Sequence, residues 1–177
     1  MLYMDLQGPF TASTAGYVYT LAVVDNHSHV GWKEYLKKKS DAPDLIMALI
    51  TRLETQTRKK VKITRTNGGG EFVNDKLKEW YSEKGIVHQY TNAHTPEQNG
   101  VAEHFNQTTN EHAVCMLHNT GLYKSFWPEA HEYSSYIHDR SPTLVLGPIT
   151  PHKVFTGCKP DLSTLCVFGS QCHVHIP

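Results

Sequence analysis

Several features that would place a protein at a membrane, outside the cell or firmly on a polyanion are missing from this sequence. No apolar stretch in its 177 residues approaches the ~20 needed to span a bilayer, and residues 1–5 carry no signal-peptide pattern. Only four cysteines occur, at 115, 158, 166 and 172, and none forms a CxxC pair. The closest spacing, from Cys166 to Cys172, fits no common zinc arrangement. The expectation is therefore reduced, mostly buried thiols in an intracellular protein. Net charge is also missing, with 17 basic residues against 17 acidic ones. Domains that bind nucleic acid tightly on their own usually carry a basic excess. No internal repeat, low-complexity tract or flexible linker interrupts the chain. One further absence is local: no Asp occurs between Asp44 and Asp75.

What is present is the pattern of one α/β domain large enough for a sizeable core. Residues 2–6 are short and apolar, with Asp5 near the end and Gly8-Pro9 as a breaker. Residues 17–24 (YVYTLAVV) read as a central strand, and residues 30–36 as a third. Short turns between them predict an antiparallel meander. Leu45, Ile46, Leu49, Ile50 and Leu53 then recur at helical spacing behind Ser40 or Asp41 and Pro43. Residues 60–66 return as a strand, and a helical crossover of this length suits parallel pairing. Asn74 caps a second helix that ends at Gly85, and residues 86–90 form a fifth strand.

A polar loop over 91–100 leads into a long helix from Val101 to about His118, and a second follows over 126–137. A short helix around 151–156 and a strand at 166–168 complete the prediction. Residues 1–120 read as the core, and 121–177 as a helical extension of that same core. The order βββαβαβ followed by helices implies a mixed five-stranded sheet flanked by helices.

Three positions stand out chemically. Asp5 lies beside the Gly-Pro break, Asn67 opens the run Asn67-Gly68-Gly69-Gly70-Glu71-Phe72, and Glu103 lies just inside the long helix. Alone, Asp5 reads equally well as a turn residue. Glu103 reads as an acid favoured by the helix dipole. The glycines read as a tight turn, since no P-loop Lys-Ser/Thr follows them.

Motifs in a fixed order lift these positions above the bland readings. DLQGP at 5–9, GGEF at 69–72, HTPEQNGVAE at 94–103, FWPEA at 126–130, RSPT at 140–143 and VFG at 167–169 occur in sequence. Together they resemble the integrase catalytic core of copia-type LTR retrotransposon Pol polyproteins, over essentially the whole chain. The resemblance implies an RNase H-like fold, a nuclear site of action, and DNA integration by two-metal polynucleotidyl transfer with Mg²⁺ or Mn²⁺. It places catalytic positions at Asp5, Asn67 and Glu103, with metal on Asp5 and Glu103. Contacts to DNA fall by resemblance to His94, Gln98, Asn99, His104 and Asn106, and a homodimer through helices is implied.

The second acid departs from that pattern. The family reads T-D-N-G-G-E-F where this chain reads Thr66-Asn67-Gly68-Gly69-Gly70-Glu71-Phe72. Thirty-five residues separate Asn67 from Glu103, the interval that the family shows between its second and third acids. An amide brings no charge, and a unit charge at ligand distance is worth several kcal/mol even when screened. After Glu103 the family's R-x-N-R stands as His104-Phe105-Asn106-Gln107, and its D-x-S-R turn as Asn26-His27-Ser28-His29. Both changes remove cations that would meet phosphates, so DNA binding should be weak. Two readings follow: an integrase core impaired at Asn67, or a catalytically inactive or domesticated remnant that binds nucleic acid or another protein.

Overall fold

The computed structural model describes residues 1–91 and 99–171. Five strands form one mixed sheet in the order β3-β2-β1-β4-β5. They are β1 (Leu2–Gln7), β2 (Tyr19–Asp25), β3 (Gly31–Leu36), β4 (Ile63–Asn67) and β5 (Val87–Thr91). The first three pair antiparallel, and β4 and β5 run parallel to β1 and to each other. The topology follows from chain length. Short links allow hairpins, whereas β3 to β4 and β4 to β5 each cross over through a helix. Those helices are α1 (Ala42–Thr57) and α2 (Asp75–Lys84). The chain then continues as α3 (Gly100–Thr120), α4 (Trp127–Arg140) and α5 (Pro151–Thr156).

Strand alternation sorts the residues into two layers. Leu2, Met4, Leu21 and Val23 face α1 and α2, where they bury against Ile46, Leu49, Ile50, Leu53, Leu77, Tyr81 and Phe72. Asp5, Ala22, Val24 and Lys33 lie on the opposite face, beneath α3 and α4. Helix ends follow their local chemistry. Asn74 Oδ1 accepts from the Leu77 N–H at 2.9 Å to start α2. Gly85 ends α2 at φ +68°, a conformation other residues adopt only at a cost.

Two expectations are corrected. The 166–168 segment is no strand: both sheet edges lie elsewhere, and the segment is tied to α4 instead. The Tyr133 hydroxyl donates to the Cys166 carbonyl, and the Phe168 ring lies 5.7 Å from that of Tyr133. Cys115, Cys158 and Cys166 are free and exposed rather than buried, because each falls on an outward helix face or a surface turn. Cys172 lies outside the described residues.

Candidate functional site

The register of the sheet brings the first two predicted positions together. Met4 lies opposite Thr66 on the parallel pair, so Asp5 and Asn67 are next in line on adjacent strands. Asn67 Nδ2 donates to Asp5 Oδ1 at 3.2 Å. Its Oδ1 accepts from the Gly69 N–H at 3.4 Å, which holds the amide inside the glycine turn. Phe72 is buried in the core beneath that turn and anchors it.

Helix α3 supplies the third position. Its inward stripe is Ala102, Phe105, Asn106 and Thr109, and two small residues let it settle close to the sheet. Ala22 leaves room on β2. At Gly31 a Cβ would fall 2.2 Å from the Phe105 ring, so only glycine fits beneath it. The Gly31 N–H donates to Asp139 Oδ1 at 3.1 Å, which ties β3 to α4 as well. Seated this way, α3 puts Asn106 Nδ2 2.8 Å from Asp5 Oδ2. Glu103, three residues earlier, shares that side of the helix but remains exposed.

Both carboxyls feel the crowding. Burial pushes Asp5 above the usual carboxylate range, against the Asn106 hydrogen bond and the Lys33 charge, which pull it down. Glu103 is also raised, first by desolvation and then by the negative charge of Asp5. Asp5 and Asn67 are therefore in direct contact, with the Asn67 amide donating its N–H to the carboxylate, and Glu103 feels the charge of Asp5.

The expected DNA contacts fare differently. His94 and Gln98 lie outside the described residues. His104 is exposed on α3, its Nδ1 3.5 Å from Thr108 Oγ1. Asn99 and Asn106 are fully buried and bond within the fold. Asn99 Nδ2 donates to the Met4 carbonyl at 3.3 Å and pins the start of α3 to β1. Asn106 is spent on Asp5.

Lys33 is the member of the site that sequence reasoning missed. It sits on β3 between Trp32 and Glu34, and its Nζ donates to Asn106 Oδ1. Strand alternation was the available signal, since Lys33 shares its face with Gly31 and Tyr35, against the α3–α4 layer.

The donor set does not fit a pair of divalent ions. Among the described residues, no three His, Cys, Asp or Glu side chains are grouped to hold a metal ion. Asp5 meets an amide N–H on each oxygen, and an amine stands behind one of them. Divalent Mg²⁺ takes oxygen ligands and two-ion sites need negative ones, so donors at these places oppose it.

No model of a known protein family matches the chain. It is 34% identical along its whole length to the retrovirus-related Pol polyprotein from transposon TNT 1-94 of Nicotiana tabacum. To the corresponding polyprotein from transposon RE1 of Arabidopsis thaliana it is 30% identical over 97% of the chain. It spans only 13% and 12% of those relatives' lengths. The fold matches the integrase catalytic core domain of HTLV-2, solved with magnesium in a trimeric form. That match has a TM-score of 0.64 at 14% identity, covering 87% of this chain and 94% of the other. It also matches a chain of a simian T-cell lymphotropic virus intasome, with a TM-score of 0.70 at 12% identity, covering 99% of this chain and 59% of that one.

Proposed function

We infer that this chain, a copia-type retrotransposon Pol segment with the fold of a retroviral integrase catalytic core, is an integrase core whose phosphoryl-transfer chemistry is impaired at Asn67. The observation that carries this reading is the Asn67 amide donating to Asp5. The scaffold that would gather three acids is complete, and the middle one has become a hydrogen-bond donor. Loss of that charge predicts a rate penalty of several orders of magnitude, at about tenfold per 1.4 kcal/mol.

The experiment is a Mn²⁺-dependent reversal of DNA strand joining, run on the chain and on Asn67→Asp. Activity confined to Asn67→Asp is the expected result. Equal activity in both would overturn the impairment. With zero net charge and without the flanking cations, DNA binding should be weak and salt-sensitive. Its affinity should fall in the ordinary non-specific range of about 10⁻⁴–10⁻⁶ M, a value that a fluorescence anisotropy titration reads.

A further inference from the structure

We propose that Lys33 is a resident cation of this site, supplying from inside the fold the positive charge that a divalent ion would otherwise bring to Asp5. The inference rests on the reading of Asp5 and Glu103 as metal positions.

The geometry begins in the sheet. Asp5 lies directly opposite Ala22, and Ala22 directly opposite Lys33, so the three form one row across β1, β2 and β3. Adjacent strands stand about 4.8 Å apart, so the ends of the row are about 10 Å apart. A lysine stem covers most of that distance, provided that the residue between is small. Ala22 is small. The Asn106 side chain closes the remaining gap, accepting from Lys33 Nζ on its oxygen and donating to Asp5 Oδ2 from its nitrogen. An amide fixed at both ends aligns its dipole between cation and anion, so the chain Lys33–Asn106–Asp5 is polarised in one direction.

The surroundings support a charged partner. Lys33 Nζ stands 5.3 Å from the centre of the Phe105 ring, within cation–π range. Glu132 lines the same pocket as Lys33 and buried His131 lies within reach of its charge, while Glu34 pairs with Arg52. Asp139 accepts from the Gly31 N–H and from His138, and Arg140 stacks on Tyr136. Asp5 is the group whose charge favours protonation of Lys33, while burial pushes its amine down to about 7. Below that pH the ammonium predominates. On the other side of Asp5, Asn67 adds its own N–H. One carboxylate thus receives a charge-backed donor and a neutral donor, and an incoming Mn²⁺ must meet the repulsion of the first and displace the second. Reversing Asn67 alone removes half of that obstacle.

The test uses the full chain at about pH 6, where the ammonium is the larger fraction. Thermal unfolding is followed with EDTA or with Mn²⁺, alongside a direct Mn²⁺ titration by electron paramagnetic resonance. The variants are Lys33→Met, Lys33→Gln, Asn67→Asp and the double change Lys33→Met with Asn67→Asp. Lys33→Met is expected to unfold at a lower temperature in EDTA and to gain stability from Mn²⁺ where the parent does not. The double variant should bind Mn²⁺ about tenfold or more tightly than Asn67→Asp.

Lys33→Gln keeps a donor for Asn106 without the charge, and carries the test if Lys33→Met fails to fold. It should respond to Mn²⁺ as Lys33→Met does. Parent-like behaviour would assign the effect to the hydrogen bond and overturn the cation. If Asn67→Asp responds to Mn²⁺ and removing Lys33 changes nothing, the Lys33 inference falls and the reading of the site stands. If neither Asn67→Asp nor the double variant responds, the reading of the site falls and takes this inference with it.

Discussion

The two faces of the one sheet are built on different principles. Beneath α1 and α2 the buried side chains are mostly apolar, from Leu2 and Met4 through Ile46, Ile50 and Phe72 to Leu77, with Thr64, Thr66 and Glu54 among them. Thr66 and His88 bond to each other toward the β4–β5 end at 2.9 Å. Beneath α3 and α4, the buried or half-buried groups include Asp5, Lys33, Asn106, Thr109, His131, Ser134 and Ser135. The first face derives stability from apolar area, at about 25 cal/mol per Å². The second commits buried positions to charged and amide groups, each of which costs stability unless it finds a partner.

The largest expected effect lies on the apolar side. Phe72→Ala should cost about 4 kcal/mol, read as a drop in the urea midpoint, because it opens a cavity under the turn that holds Asn67. A cost below about 1 kcal/mol would mean that the contrast between the faces is overstated. On the polar side Gly31→Ala should cost about 2 kcal/mol by the same measurement. The added methyl would have to displace the buried Phe105 ring, and α3 would lift away from Asp5. An unchanged midpoint would show that α3 is not held as closely as the geometry indicates.

The smallest effect at neutral pH belongs to His131, buried beside Phe10 and Trp127. Burial pushes its imidazole down to about 3, and that of His88 to about 4. A histidine whose folded value is depressed contributes stability that is present above its unfolded value near 6.5. That stability is lost as pH falls from there toward the folded value. Acid unfolding should therefore set in below about pH 6.5, with His131 accounting for about 3 kcal/mol by pH 4. His131→Phe keeps the ring stack and gives up the bond to Asn110. It should leave stability at pH 7 within about 1 kcal/mol of the parent and shift the acid midpoint downward in circular dichroism. An unchanged midpoint would assign the acid sensitivity to His88 and the carboxyls.

Much of this molecule is legible in the chain because its elements obey local rules. The meander, the crossovers and the caps at Asn74 and Gly85 were written in alternation, spacing and turn chemistry. Their ends moved by a few residues: β2 begins at Tyr19, two residues inside the predicted stretch. Ordered motifs marked positions 5, 67 and 103, and the loss of a charge at Asn67 needed no coordinates.

Partnership between distant residues was not legible. Asn106 reads on α3 as one more polar helix residue until the small side chains of Ala22 and Gly31 bring that helix onto the sheet. Lys33 reads as a strand residue until a row of three strands aims it at Asp5. Cys115 reads as a core thiol until the helix phase turns it outward. The sequence by itself determined the five strands of the sheet, the main helices, their order and the amide at position 67, since each depends on neighbours in the chain. Only the tertiary structure decided that an amide and a lysine surround Asp5. Those contacts span 101 residues between Asp5 and Asn106 and 73 between Lys33 and Asn106, and they exist only where two strands and a helix pack together.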